Sequence, residues 1–544
     1  MNGAPLNKGP GVPPPLAGKQ GGSIAAGLTF VQTLSGWRRA LAAFAAGAAA
    51  ALAQAPFYLL PLMALGYSVL LLLLDGARRA PRPGRAGFFA GWFFGFGYFL
   101  VGLYWVAYSF LVQAEEFAWM APIAVAGLPA FLALFTGGAT ALAAKWGAAG
   151  WRRVLALAAA MMLFEYARGH VLTGLPWNLP GQALAGNAVG AQSAAIWGVY
   201  GLSLVALLLA AAPAAFAAAG ARGLVKGAGV AIIGVLALYA YGAARLATTN
   251  PGDHPDAFVR IVQPNIPQRQ KIDNDFWQAN YERQIELSSA PGPAAGRLFI
   301  LWPENAVPVI DEVKEGLDAL SKRLPKNAVL IVGAVRRTTG ADGATLYYNS
   351  ISVIAETPEG RAPVAHYDKH HLVPFGEYLP LYGLLKKIGL SELTPYGDAG
   401  FTMGAGPETI SAGGPAFAPL VCYEAIFPGR VYPKGDRPEW IATVTNDSWF
   451  GDSSGPRQHF DQARLRAIET GLPMARSANS GVSGLFDALG REVARVPLYK
   501  TGVIDAALPR ALPGVFYDRY GDLAFILMMA VAGFFGFFSG RTSR

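Results

Sequence analysis

The chain has 544 residues, 53% of them hydrophobic and only 15% charged, against about 25% charged in soluble domains, which excludes a wholly soluble globular protein. Its formal charge of +9 does not point to nucleic acid, because the Lys and Arg residues gather in short loops between apolar runs, where bilayer topology accounts for them. Its one cysteine, Cys422, excludes an intramolecular disulfide.

Residues 1–35 are rich in Gly, Pro and Ala and read as a disordered cytoplasmic tail. They lack the apolar core and cleavage pattern of a secretory signal peptide, so the first apolar run is the expected insertion signal. Residues 36–245 read as a membrane domain with spans at 40–55, 57–74, 87–111, 120–144, 154–172, 198–219 and 225–245. A further span at 521–539 lies in the last segment, 521–544. A crossing takes about 20 apolar residues. The first two runs, separated by Pro56, have the makings of a tight helical hairpin.

Orientation follows from the basic residues of the short loops. Lys8, Lys19, Arg38 and Arg39 precede the first span, and Arg78, Arg79, Arg82 and Arg85 follow the second. Lys145, Arg152 and Arg153 follow the fourth, Arg222 and Lys226 the sixth, and Arg541 and Arg544 the last. With about eight spans all of these fall on one side, which places both termini in the cytoplasm. Glu115, Glu116, the segment around His170 and all of 246–520 fall on the other.

Residues 246–520 have the composition of a soluble domain. Apolar strands are expected at 258–262, 298–302, 329–334, 347–354, 417–422, 440–444 and 474–478, and helices at 275–288, 316–323 and 457–470. A late hairpin pairs 485–487 with 492–496. Strands and helices in alternation predict an α/β sheet domain.

Three segments put a reactive side chain at a strand end or in a structured turn, where open α/β sheets usually place their sites. They are Trp302-Pro303-Glu304, the run from His366 to Glu377, and Val421-Cys422-Tyr423-Glu424. A carboxylate, an ammonium and a thiol make a working nucleophile: Glu304 can take the thiol proton, and Lys369 can stabilise the thiolate and a tetrahedral oxyanion. Taken singly, each has a plainer reading, Cys422 as a core residue, Glu304 as a solvated turn and Lys369 as a surface charge; together they are far more specific. His366, His370 and His371 stand too close in sequence to face one ion together, so neither a metal nor another cofactor is expected.

These segments, with Tyr367-Asp368-Lys369-His370-His371-Leu372-Val373-Pro374-Phe375-Gly376-Glu377 as the longest, resemble the three motifs of the nitrilase superfamily. With the apolar spans before and after, the chain resembles the membrane-embedded branch of that superfamily, the apolipoprotein N-acyltransferase family, over about 35–544. Segments 174–177, 262–268 and 445–451 match as well. The resemblance implies a membrane α-helical bundle of about eight spans plus an α/β nitrilase-like αββα sandwich domain. It implies Glu304 as general base, Lys369 as oxyanion stabiliser and Cys422 as nucleophile, with Glu377, Tyr423 and Glu424 in support. Glu377 would orient Lys369 or relay protons.

The reaction implied is transfer of an acyl chain from a phospholipid donor, through a cysteine thioester, to the α-amino group of a diacylglyceryl-modified apolipoprotein acceptor. The implied setting is a bacterial inner membrane, multi-pass, with the catalytic domain on the periplasmic side and the chain acting as a monomer. The family often carries Trp after the lysine that follows Asn-Ile-Pro-Gln; here Ile272 follows Lys271, so a ring contact there is not carried over.

Leu381, Leu384, Leu385 and Ile388 recur at helical spacing beside Lys386 and Lys387. This stretch suits a lipid arm lying on the bilayer, or equally an amphipathic helix packed on its own domain. Two other functions compete. A membrane-anchored carbon-nitrogen hydrolase (an amidase or nitrilase using water as acceptor) would share the three residues but needs only one anchor. A transporter would carry charges deep in its spans; apart from Lys226, Arg245 and Asp522 at span ends, only Glu165 and Arg168 lie within them, near an outer end and three residues apart, as a pairing would require.

Overall fold

The computed structural model describes residues 23–538 apart from 310–313, 342, 381, 383–386 and 388–399. Helices Gly36–Ala51, Leu60–Ala77, Pro83–Gly102, Ala121–Trp146, Arg153–Arg168, Ala194–Ala215 and Gly220–Thr248 follow the apolar runs before residue 250, and Leu523–Gly533 follows the late one. Small residues set their packing. Gly87, Gly91 and Gly95 recur every fourth residue on the face that Pro83–Gly102 turns to Thr136 and Thr140. A Cβ at Gly91 would stand 2.6 Å from the Thr136 carbonyl oxygen, so only glycine allows this approach, the small-residue contact that joins apolar helices where no hydrophobic drive separates them from lipid. Gly227 meets Ala212 and Gly234 meets Leu209, so Ala194–Ala215 and Gly220–Thr248 run antiparallel.

By length and composition, three stretches are long and apolar enough to cross a bilayer: Leu60–Ala77, Ala114–Trp146 and Ala194–Thr248. A fourth joins them if the bent pair Pro83–Gly102 and Tyr104–Leu111 counts as one span. The expected straight run at 87–111 is therefore broken, with a bend of 54° at the pair's junction. Gly36–Ala51 and Arg153–Arg168 are shorter, at 16 residues each. The segment read as a disordered tail contains a helix, Ser23–Thr33. Docking orders it: Leu28 is buried, the Gln32 backbone packs on Gly76, and Gln32 Nε2 donates to Asp75 Oδ2 at 3.2 Å. Composition alone does not reveal such a contact. Arg168 Nε donates to Glu165 Oε2 at 2.8 Å, both buried.

The later half is built on two sheets. The first holds β1 (Asp253–Gln263), β2 (Arg297–Val309), β3 (Ala328–Thr339), β4 (Thr345–Thr357), β5 (Gly360–Asp368) and β11 (Gly502–Pro509), in the order β11-β1-β2-β3-β4-β5. The second holds β6 (Phe417–Val421), β7 (Trp440–Thr445), β8 (Met474–Ala478), β9 (Ser483–Phe486) and β10 (Glu492–Val496), in the order β10-β9-β8-β7-β6. Strands β1-β2-β3 and β6-β7-β8 are parallel, and the outer pairs are antiparallel.

Apolar residues of both sheets, among them Val259, Phe299, Val421 and Trp440, form one shared core. Tyr281, Ile285, Leu320 and Leu324 cover the outer face of the first sheet from helices Trp277–Ser288 and Lys314–Arg323, and Phe460, Ala463 and Ala467 cover the second from helix Ser454–Thr470. This is the expected αββα sandwich. The expected strands and the late hairpin all lie in or beside observed strands; β5 and β11 were not expected. Both are sheet edges, where residues such as Pro363 and Asp505 interrupt an apolar run without breaking a ladder.

Helix Ser454–Thr470 joins the halves. It is polar in sequence and buried along its length, except Arg457. Several of its polar groups bond to the helical half: Gln458 Oε1 accepts from Trp177 Nε1 at 2.7 Å, Asp461 Oδ2 from the Tyr58 hydroxyl at 2.6 Å and Glu469 Oε1 from Val199 N at 2.7 Å. Arg464 Nη1 donates to the Ala185 carbonyl at 2.7 Å. Such partners offset the cost of burying polar groups.

Candidate active site

Glu304 lies within β2, and Lys369 and Cys422 directly follow β5 and β6. Glu304 lies in a bulge: Trp302 pairs with Val332 and Val307 with Ala334, so 303–306 stand opposite Gly333 alone. A Cβ on Gly333 would lie 2.5 Å from Glu304 Cα, so the bulge needs glycine beneath it. Lys369 follows β5, and its main-chain N donates to the Asn349 carbonyl at 2.8 Å. Cys422 opens the 3-10 turn Cys422–Ile426 with φ +49°, a left-handed conformation that costs a non-glycine residue about 1–3 kcal/mol and persists where its surroundings enforce it.

These groups share one buried cluster. Lys369 Nζ stands 2.7 Å from Glu377 Oε1 and 3.8 Å from Glu304 Oε1. Asn349 Nδ2 donates to both carboxylates, at 2.8 Å to Glu304 and 2.6 Å to Glu377. Glu377 Oε2 also accepts from Val373 N at 2.7 Å. Burial works to lower the Lys369 pKa, but Glu377 and Glu304 outweigh it and hold the ammonium above the ordinary lysine value. Burial raises Glu377 against the pull of Lys369. Burial and then the Glu304 charge push the Cys422 thiol up, against Lys369. The resting site therefore holds a protonated thiol beside a charged lysine, and a base is required to make the nucleophile.

Glu424 ties the lysine loop to the cysteine turn. Its carboxylate accepts from the Tyr367 hydroxyl at 2.8 Å, His370 N at 2.9 Å and Val421 N at 2.8 Å. Burial opposes its charge, but His370 and these donors outweigh burial and hold its pKa below the ordinary value. Tyr423 reaches the helical half, donating its hydroxyl to the Gly174 carbonyl at 2.8 Å. His371 Nε2 meets the Thr173 carbonyl at 2.6 Å. The three histidines diverge: His366 Nδ1 meets Ser352 Oγ at 2.9 Å, His370 Nδ1 meets Tyr367 and Glu424, and His371 meets Thr173. Of the suggested lipid arm, Lys387 is exposed, while Leu381, Leu384, Leu385, Lys386 and Ile388 lie outside the described residues.

The sequence did not single out three other parts. Asn349 stands inside β4, where no local pattern marks it. Lys271 Nζ donates to the Glu304 carbonyl oxygen. Behind Cys422, His459 Nε2 meets the Cys422 carbonyl oxygen at 3.1 Å and Nδ1 meets Asp447 Oδ1 at 2.9 Å. Arg476 Nη2 donates to Asp447 Oδ2 at 2.7 Å, and Thr445 Oγ1 to Asp447 Oδ1 at 3.0 Å. Cys422, Asp447 and His459 bring metal-ligand atoms within 4.8 Å of one another, yet both imidazole nitrogens are engaged and a guanidinium already neutralises the carboxylate. The set fits a closed polar network better than a cation site. His459 sits in the buried polar helix, and Asp447 in the 445–451 segment already noted; that segment was the one available signal.

A family model described as apolipoprotein N-acyltransferase N-terminal domain matches residues 46–212, and one described as carbon-nitrogen hydrolase matches residues 258–514. An apolipoprotein N-acyltransferase of Rhodopseudomonas palustris is 40% identical over 508 residues, covering 91% of this chain and 94% of the relative. One of Bradyrhizobium diazoefficiens is 41% identical over 509 residues, with 91% and 94% covered. One of Brucella melitensis is 42% identical over 489 residues, with 88% and 91% covered. The solved structure of a carbon-nitrogen hydrolase superfamily protein from Xanthomonas campestris aligns with a TM-score of 0.31 at 17% identity, over 47% of this chain and 91% of that one.

Proposed function

The chain belongs to the apolipoprotein N-acyltransferase family, and on that premise we propose that it transfers an acyl chain from a membrane phospholipid to the α-amino group of the diacylglyceryl-cysteine of an apolipoprotein. The observation that carries this reading is the placement of Cys422, in a left-handed turn, beside Glu304 and Lys369, with the adjoining Tyr423 and His371 bonded to Gly174 and Thr173 of the helical half. A lipid-consuming site has reason to open where the catalytic sandwich meets apolar helices.

In the first stage Glu304 takes the Cys422 proton as sulfur attacks the donor ester carbonyl, and Lys369 faces the oxyanion that forms. Collapse breaks the ester C–O bond, Glu304 returns the proton to the departing glycerol oxygen, and the acyl group remains as a thioester. In the second stage the uncharged acceptor amine attacks the thioester, Glu304 takes the amine proton and passes it to sulfur as the C–S bond breaks, and thiol and carboxylate are both regenerated. Glu377 holds Lys369, and Glu424 and Tyr423 hold the two loops. The lipid-arm role of 381–388 remains part of this reading.

The Lys/Arg alternation supports about eight spans with cytoplasmic termini and the sandwich on the periplasmic face of an inner membrane. Mass spectrometry of protein incubated with labelled phospholipid and no acceptor tests the chemistry. A hydroxylamine-labile acyl adduct on Cys422, with release of lysophospholipid, is expected; normal transfer without such an adduct refutes the covalent route.

A further inference from the structure

Lys271 has no assigned part in this chemistry, yet its ammonium lies against the backbone of Glu304. Its Nζ donates to the main-chain carbonyl of Glu304, and it senses the charges of both Glu304 and Cys422. The two carboxylates of the cluster are already taken by Lys369, at 2.7 Å and 3.8 Å. Among the described residues no carboxylate forms an ion pair with Lys271, and its one hydrogen-bond partner is a neutral carbonyl. Lys271 is half-buried, and partial burial of an unpaired charge is costly; it pulls the pKa down to about 8, against Glu304 and Cys422. An ammonium has three donors, so two remain for a ligand.

We propose that Lys271 binds the phosphate of the donor phospholipid. This rests on the phospholipid reading above. A diacyl phospholipid carries its phosphodiester a few bonds from the reacting ester, so a cation near Cys422 that lacks a carboxylate partner can hold the phosphate while the ester carbonyl reaches the sulfur. The acceptor offers an amine at the reacting atom and gives no reason for a second lysine there. The phosphate would complete the pairing that the resting site leaves open and would select lipids that bear one.

The test uses the full chain in detergent micelles and follows acylation of Cys422 without acceptor, with two donors: a diacyl phospholipid and a long-chain acyl p-nitrophenyl ester, which has no phosphate. Lys271→Met is expected to raise the KM for phospholipid about tenfold, the equivalent of one charge-assisted contact, and Lys271→Arg to recover most of it. A loss that comes through the Glu304 carbonyl is common to both donors, so the Lys271→Met loss on phospholipid should exceed that on the ester about tenfold. An equal loss on both donors would mean that Lys271 only supports the Glu304 carbonyl, and no loss on phospholipid would refute the assignment directly. Inorganic phosphate should leave the ester reaction unchanged; if it slows the parent and the phospholipid KM does not depend on Lys271, the ligand is free phosphate and the proposal fails. A parent protein that takes acyl groups from the ester but not from phospholipid overturns the donor reading itself, an outcome separate from any difference between variants.

Discussion

Lys369 Nζ lies 2.7 Å from Glu377 Oε1, closer than to Glu304, whose Oε1 is 3.8 Å away. The lysine is thus anchored by one carboxylate and left free to follow charge at the other. Burial pulls its pKa down while Glu377 and Glu304 push it up past the ordinary value. Glu377→Gln removes the nearer of these, so the pKa should fall and the basic limb of the kcat/KM profile should move to lower pH. The stability that the pairing gives is present below the ordinary lysine pKa and lost only as pH rises through the raised one, so unfolding near neutral pH should not acquire a slope from it. Lys369→Met should cost on the order of 10²–10³ in kcat, as loss of an oxyanion donor does. A pH profile unchanged in Glu377→Gln would show that Glu377 does not set the charge of Lys369.

Glu304→Gln separates the two things that Glu304 does to Cys422. As a charge it raises the thiol pKa, second only to burial; as the proposed base it would take the proton during transfer. Glutamine does neither. Alkylation of Cys422 by iodoacetamide at about pH 8 should therefore speed up, because the thiol becomes more acidic and the thiolate reacts. Acyl transfer should fall by about 10²–10⁴-fold, the usual share of a general base. Alkylation and transfer falling together would mean that Glu304 serves only to hold the site's shape.

Much of this architecture is legible in the residues. The strands that place Glu304 and Cys422 are continuous apolar runs ending at the reactive side chain, and 298–302 and 417–421 need no tertiary information to be seen. The strand that places Lys369 is not legible: β5 carries Arg361, Pro363 and His366 and survives as an edge because only β4 pairs with it. Asn349 is equally hidden, since its role depends on strand register bringing it under two carboxylates from distant segments. The bend at 102–104 and the helix Ser23–Thr33 escape for a related reason, both being set by contacts between elements. The polar stretch is legible as a helix over 457–470, but its burial follows only once two halves of the chain close on it.

Gly333 offers a test of the bulge. The ideal Cβ of an alanine there meets Glu304 Cα and the Pro303 carbonyl oxygen, each at 2.5 Å, and backbone cannot step aside cheaply. Gly333→Ala should lose about 1–3 kcal/mol through overpacking, read as a lowered thermal midpoint in detergent, and should reduce kcat by displacing the base. Full activity with a normal midpoint would show that the bulge relaxes freely and does not fix Glu304.

The network behind the nucleophile invites two substitutions with different signatures. His459 meets the carbonyl of a residue held at φ +49°, so it is a positioning residue, fixing the turn that aims the thiol. Misplacement of a reacting group by about 1 Å can cost about 10²-fold. His459→Leu should lower kcat by that order with KM unchanged, and His459→Gln, which keeps a donor, should recover part of it; equal effects of Leu and Gln, or a loss confined to KM, would contradict the role. Asp447 acts one step further back. Burial opposes its charge, yet Arg476 and His459 carry its pKa down to about 2. A depressed carboxylate contributes stability that is present above its unfolded pKa of about 3.9 and lost as pH falls through the folded value. Asp447→Asn leaves Arg476 buried without its counter-charge, a defect of about 3–5 kcal/mol. The gap in thermal midpoint between parent and variant should stay constant from about pH 8 to pH 5 and narrow only as pH falls below about 4, where the unfolded parent begins to bind the proton that the folded state still excludes. A gap that instead closes near neutral pH would place the titrating group at His459, and the carboxylate would no longer be what holds the network together.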